Sequence, residues 1–400
     1  MKWKKIMAVL VSVTLASGMM ACGGKPESGK EPEQGQEQEN KDTLGLDWSA
    51  GADASGGNVT LKVRSWRHND KAYYDEIIRR FEEKYDWFDV DMVLTADSAS
   101  YYSNLQADLA FNEGVDVFDS HPGRLATFAS DGVAAPQTDF DYTDSLTDSA
   151  KQVVYIDGKC YGYPNAHNYL GFMYNVDIFK EEGLTVPQTP EELVEVVNKL
   201  KAAGYGGISY AGGHIGNSLA RAVLYSTLGL DGFEEMGAAI DNGTLTDISQ
   251  VEGIEDVFNT LTYYADNDIY YNAFESISFD AGISLFAQKK TAIIYGGSWA
   301  IGEKDYYFPG LNVAFFPVPT KANTGACFSD CAQISIINAN GKNLGAAKLW
   351  VEFLASPEIS EYYCSNAGMG SNIKGINIAH DWEPDFFKGD YVLESNKAKF

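Results

Sequence analysis

Five polar loops carry most of the side chains that could do chemistry in this 400-residue chain. They are Trp66-Arg67-His68-Asn69-Asp70, Ala96-Asp97-Ser98, Asp119-Ser120-His121, Asn165-Ala166-His167-Asn168 and Tyr210-Ala211-Gly212-Gly213-His214. Four of the five histidines, His68, His121, His167 and His214, fall in them. Three chemistries are open to these imidazoles: neutral hydrogen bonding to ligand hydroxyls, cationic pairing with an acidic ligand alongside Arg67 and Arg124, and metal ligation. No two have the close spacing of a metal motif, so hydrogen bonding is the default, and neither a metal nor a cofactor is expected. The sequence has no Gly-x-Ser-x-Gly elbow, no His-Glu-x-x-His and no Gly-x-x-x-x-Gly-Lys phosphate loop. With 56 Asp and Glu, paired carboxylates arise by chance almost everywhere, so they do not single out a glycoside hydrolase. The loops read as a binding surface and not as a catalytic one.

The elements that must position these loops alternate. Val59 to Trp66 alternates apolar and polar residues as a strand with Val59, Leu61 and Val63 inward. Asp70 to Tyr85 sets Tyr74, Ile77, Ile78 and Phe81 at helical spacing, with Asp70 placed to cap. Phe88 to Leu94 is a strand, Ser100 to Phe111 a helix and Val115 to Asp119 a short strand. Further on, Tyr161 to Pro164 and Leu170 to Tyr174 are strand-like, Glu191 to Ala203 is a helix opened by Pro190, and Gly207 to Tyr210 is a strand. Asn217 to Leu228 and Glu252 to Ala265 are helices, and Thr291 to Tyr295 is a strand leading into Gly296-Gly297-Ser298-Trp299. Strand and helix in alternation predict an α/β fold with a mainly parallel sheet, in which ligands meet loops at the carboxyl ends of the strands.

Charge, length and the amino terminus narrow the partners. A net charge of −26 repels phosphate backbones and disfavours nucleic acid. Lys2, Lys4 and Lys5 precede an apolar run, Ile6 to Ala16, and a small-residue region ending at Ala21, which is the pattern of an export signal over residues 1–21. Met19-Met20-Ala21-Cys22 resembles the lipobox of bacterial lipoproteins, which implies a diacylglycerol on Cys22 and a mature chain held on the outer face of the cell membrane. An ordinary cleaved signal with a chance cysteine is the alternative; the apolar run is short of the roughly 20 residues that span a bilayer. Residues 22–57 hold almost no large apolar side chain except Leu44, Leu46 and Trp48, and are expected to be a disordered tether. Residues 58–400 exceed the roughly 250 to 300 residues at which one core stops growing, so two domains are expected. Cys327 and Cys331 either pair or sit as buried thiols; buried thiols are the preferred reading.

From Val59 to about Gly375 the order of motifs resembles the extracellular solute-binding lipoproteins of ABC importers, in the branch similar to maltodextrin-binding proteins. The marks include Phe81-Glu82-Glu83-Lys84-Tyr85, Asp116-Val117 after Gly114, Ala129-Ser130-Asp131-Gly132, Tyr174-Asn175 and Phe179. Later marks are Gly183-Leu184, Pro187, Gly297-Ser298-Trp299, Pro317-Val318-Pro319 and Phe353-Leu354-Ala355-Ser356-Pro357-Glu358. Lys289 stands where the family usually has Gly, and Met369-Gly370-Ser371 replaces a frequent Gly-x-x-Pro.

The resemblance implies a two-lobed periplasmic-binding-protein-like fold of type II, with a ligand cleft between lobes joined by crossover strands near 165–169 and 317. The lobes would be residues 58–165 plus about 317–356, and 166–316 plus about 357–400. It implies a lipid-anchored, monomeric, non-enzymatic receptor that captures a carbohydrate and delivers it to an ABC permease. A sugar has an apolar C–H face and a rim of hydroxyls, so its site needs an aromatic plate ringed by carboxylates or amides. Trp299 takes the family's Gly-Ser-Trp position as that plate, with a core tryptophan as the alternative. Trp66 is a second wall or a packing residue. Asp70 and Asp119 accept ligand hydroxyls, or cap a helix and end a strand respectively. Asn168 lies on the crossover where the family places a polar contact; His68, Asn69, His167 and His214 complete the set. The competing functions are a surface glycoside-active enzyme and, because of tyrosine doublets such as Tyr73-Tyr74 and Tyr263-Tyr264, a ferric-ion receptor of the same fold.

Overall fold

A computed structural model describes residues 45–96, 98–110, 114–210, 212–322 and 328–382, with backbone only at 98–99, 212–217, 230–231, 234 and 241. Cys22, Asp97, Ala211 and Cys327 lie outside the described residues, as does the export signal. Nine strands form among them: β1 (Val59–Ser65), β2 (Phe88–Leu94), β3 (Val117–Ser120), β4 (Tyr155–Ile156), β5 (Lys159–Cys160), β6 (Tyr163–Asn175), β7 (Ile293–Gly297), β8 (Val313–Phe316) and β9 (Phe328–Ile337). Seven make one sheet in the order β2-β1-β3-β9-β6-β7, with β8 also on β6. β4 and β5 pair separately.

β1 runs parallel to both β2 and β3, as the alternation of strand and helix predicts. The rest of the sheet is antiparallel: β3 with β9, and β6 with β7, β8 and β9. This corrects the expected mainly parallel sheet. The antiparallel partners in this sheet are far apart in sequence, β3 with β9 and β6 with β7, β8 and β9, so no single strand–helix–strand unit sets their direction. β6 is also one run of 13 residues where the sequence suggests two short strands. Its polar middle, Asn165 to Asn168, is buried and bonded to β9, with register shifts on either side of Ala166. Gly207 to Tyr210, read as a strand, makes only isolated bridges such as Ile208 to Tyr270 and Ser209 to Ile294. The helix read at Asn217 to Leu228 belongs to a longer one, Gly212–Asp241.

Packing follows the apolar periodicities. The helix Lys71–Lys84 buries Tyr74, Ile77 and Phe81, and the Phe81 ring lies 5.1 Å from Trp350 and 5.3 Å from Phe353. The helix Pro190–Ala202 is capped by Thr189, whose hydroxyl accepts from the Glu192 amide, and buries Leu193, Val196, Val197 and Leu200. Lys289 has φ +58°, the left-handed region that glycine occupies freely, which accounts for the glycine usual in similar sequences. The end of the expected tether is ordered, contrary to the composition-based reading. Trp48 packs edge-on against Phe140 at 5.1 Å, and the Ala50 carbonyl accepts from the Gly345 amide at 2.8 Å. One large apolar ring is enough to dock a polar segment there.

Cys160, Cys331 and Cys364 are unpaired, buried thiols, and burial pushes all three up, Cys364 to about 12. No described helix is long and apolar enough to cross a membrane.

Candidate functional site

The cleft is built where β1 and β7 end, beside the middle of β6. β1 delivers Trp66, whose ring is propped edge-on against buried Tyr101 at 5.3 Å. Tyr101 is fixed in turn by donating its hydroxyl to the Asp119 carbonyl at 2.6 Å. β7 delivers Gly297-Ser298-Trp299, and each of the three has a separate job. The Ser298 amide donates to the Tyr169 carbonyl at 2.8 Å, and its hydroxyl accepts from the Tyr169 amide at 3.2 Å, which ties the turn to β6. Gly297 leaves room for the indole: a Cβ there would sit 1.5 Å from Trp299 Cζ3. Trp299 then opens a short helix, Trp299–Gly302, packs against the core cluster around Met173 and Phe308, and lines the cleft.

A cavity of about 260 Å³ lies between these walls, close to the lower end of the roughly 300–1,000 Å³ usual for small-molecule sites. Trp66, Arg67, His68 and Asn69 line one side, and Trp299, Glu303 and Tyr307 another, with Asn168 of β6 also exposed to it. Polar bonds join the sides. Asn69 donates its side-chain amide to the Tyr307 hydroxyl at 2.9 Å, and Arg67 reaches Glu303 at 3.4 Å. Asn168 donates to Asp330 at 3.3 Å, while its carbonyl oxygen, like Glu303 Oε2, is buried without a partner. A buried acceptor with no donor costs about 1–3 kcal/mol, so either oxygen would be stabilised by a donor that reached it.

The charges beneath are concentrated. Arg67 donates to Asp70 at 2.7 Å, and Asp70 also accepts from the Tyr363 hydroxyl at 2.7 Å. Burial pushes the Glu303 carboxyl well up; Arg67 opposes this and the Asp70 charge adds to it. One guanidinium thus faces two carboxylates.

Of the ligand residues expected from the sequence, Trp66, His68, Asn69, Asn168 and Trp299 come together at this cavity. Asp70 does not: it is fully buried, and although it precedes the helix its side chain makes no capping bond, because Arg67 and Tyr363 hold it. Asp119 is also buried below the surface, accepting from the Ser335 hydroxyl at 2.7 Å, and burial lifts its carboxyl to about 6. His167 points away from the cavity. Its Nδ1 lies 3.1 Å from Asn372 Oδ1, its ring approaches Gly370 so closely that a Cβ there would be 2.0 Å away, and burial pushes the imidazole down to about 4. The side chain of His214 lies outside the described residues, in the first turn of the helix Gly212–Asp241. His121, read only as one of the loop histidines, does line the cavity, 4.4 Å from Trp66.

Glu303 and Tyr307 escaped the sequence reading, although a sign was present. They follow Trp299 at four and eight residues, and backbone bonds from the Glu303 amide to Trp299 and from the Tyr307 amide to Glu303, each 3.0 Å, carry all three along one helical face. Phe279, Ala96 and Ala332 complete the wall and carried no such sign.

Comparison with known proteins agrees with this architecture. Residues 76–386 match the family model described as bacterial extracellular solute-binding protein. A multiple sugar-binding protein of Streptococcus mutans is 23% identical over 381 residues, covering 94% of this chain and 84% of that protein. Among solved structures, RafE in complex with raffinose has a TM-score of 0.67 at 22% identity, covering 84% of this chain and 89% of that one. A Bacillus licheniformis sugar transporter in complex with stachyose has a TM-score of 0.61 at 19% identity, with 84% and 88% coverage. The fold is the two-lobed α/β type these structures share.

Proposed function

This chain belongs to the bacterial extracellular solute-binding proteins, and from that premise we propose that it is the carbohydrate receptor of an ABC importer. The observation that carries the reading is the cleft wall: two tryptophans, Trp66 and Trp299, beside a buried Asn168 oxygen that has no donor. An indole face suits the C–H face of a sugar, and unpartnered acceptors suit its hydroxyls. The relatives support the same chemistry, since two were solved with raffinose and stachyose and a third is a sugar-binding protein.

In this reading residues 58–165 with about 317–356 form one lobe and 166–316 with the segment after 356 the other. Sugar meets Trp299 on one lobe, and its added contacts with the Trp66 side favour closure by differential affinity. The monomeric receptor, anchored through Cys22, then presents its cargo to a membrane permease without chemical change. Glu303 is a hydrogen-bonding partner for ligand hydroxyls in this reading. The test is titration with galactose, maltotriose, raffinose, stachyose, xylotriose and acidic oligosaccharides, followed by calorimetry and tryptophan fluorescence. Saturable heat with an emission change is expected for at least one sugar; no heat with any of them refutes the carbohydrate reading, and shortening of the oligosaccharides refutes the receptor reading.

A further inference from the structure

Beyond Trp66 the cavity wall continues as a stack of rings that ends in a cation. His121 lies 4.4 Å from the Trp66 ring at 33°, and Tyr102 lies 6.2 Å from both, tilted by 33° and 38°. The Tyr102 hydroxyl accepts from the His121 amide at 2.9 Å, so the loop after β3 is pinned to the helix that carries Tyr102. Over the Tyr102 face sits the Arg124 guanidinium, 3.8 Å from the ring centroid.

Arg124 is held by a ring and not by an acid. Arg64, Arg67, Arg79 and Arg80 each make ion pairs among the described residues, whereas Arg124 lies over Tyr102 and Arg221 over Phe328, and of these two Arg124 is the one beside the cavity-lining His121. In a chain with 56 acidic and 30 basic residues, chance favours an acid beside every surface cation. Stacking holds the guanidinium plane while its N–H edges stay available, so little freedom is lost when it grips a planar anion. The neighbouring imidazole responds in the same sense: loss of hydration, then the Arg124 and Arg67 charges, push His121 down, although the residue remains exposed to solvent.

We propose that the cleft includes an anionic subsite, in which Arg124, stacked on Tyr102 and flanked by His121, takes the carboxylate of an acidic sugar whose neighbouring unit lies between Trp66 and Trp299. This rests on the carbohydrate reading above and narrows it to uronate- or sialate-bearing oligosaccharides. Arg67, the other guanidinium at the cleft, is already engaged by Asp70 and Glu303, so of the two Arg124 is the one with no carboxylate partner among the described residues.

Calorimetry on the full folded protein tests it with matched pairs: trigalacturonate and aldotetrauronate, each against its carboxyl-reduced counterpart, and sialyllactose against lactose. At least one acid should bind about tenfold tighter than its neutral partner, equivalent to about 1.4 kcal/mol. That ratio should shrink as salt is raised, since an exposed pair is screened. Arg124→Gln should bring the acid-to-neutral ratio to about one with an unchanged melting profile, and Arg124→Lys should restore only part of it because lysine lacks the planar fork. Neutral sugars that bind as tightly as every acid, or a ratio unaltered in Arg124→Gln, overturn the subsite while leaving the receptor intact. Absence of heat with all six sugars overturns the subsite and counts against the carbohydrate reading itself.

Discussion

Gly297→Ala should impair sugar binding although the residue has no side chain to touch a ligand. The added Cβ would lie 1.5 Å from Cζ3, 2.0 Å from Cε3 and 2.2 Å from Cη2 of Trp299. Carbon atoms settle at about 3.5–4.0 Å, so the indole must retreat by about 2 Å or rotate away. It has no room inward, because Trp299 already packs on the cluster of Met173, Ile301 and Phe308. The plate is therefore lost while the strand survives. One face of an indole is roughly a third of the 150–250 Å² that a buried aromatic hides, or about 50–80 Å². At about 25 cal/mol per Å² that surface contributes about 1.3–2 kcal/mol, roughly 10- to 30-fold in affinity. Calorimetric titration of the variant with the tightest-binding sugar measures the loss, and the near-ultraviolet circular dichroism of the tryptophans reports the displaced ring. Affinity within about twofold of the parent, with the melting transition retained, would show that Trp299 is not the plate or that Gly297 does not position it.

Two further outcomes separate the buried residues from the cleft and the anchor from both. Burial raises the Asp119 carboxyl to about 6, with its bonds to Ser65 and Ser335 opposing; the folded state therefore disfavours its charged form, and stability present below about pH 4 is lost as pH rises through about 6. Asp119→Asn should remove that slope, worth about 2 kcal/mol between pH 4 and pH 7, in urea unfolding at the two pH values while leaving sugar affinity unchanged; a slope equal to the parent's would contradict it. Cys22→Ser should move the protein from the membrane to the soluble fraction and lower uptake by cells without altering affinity in vitro; retention at the membrane would exclude a lipid on that thiol.

Side-chain period gave the local elements and little of their pairing. Leu61 and Val63 mark β1, and Leu193, Val196, Val197 and Leu200 mark a helix face, because burial against one side imposes a period that a single chain displays. β6 was fragmented by the same reasoning, since Asn165, His167 and Asn168 look like loop residues until β9 and Asn372 satisfy them. The long-range partner that makes a polar residue tolerable inside is not written near it in sequence. The site divides in the same way. Trp66, Asn69 and Trp299 were legible because they follow predicted strands. Asp70 and Asp119 were misplaced because a carboxylate after a strand looks alike whether it faces solvent or an arginine beneath. Glu303 and Tyr307 needed the helix after Trp299 to be recognised as a continuation of the site and not as its exit.

The three sealed thiols carry a consequence for manufacture. A chain destined for the exterior meets oxidants that link exposed cysteines at random, yet Cys160, Cys331 and Cys364 are each enclosed and held in the unreactive protonated form. Among the described residues the fold contains no cross-link that must be made correctly before the receptor can work. The packing that encloses these three thiols therefore also shields them from the oxidants met outside the cell.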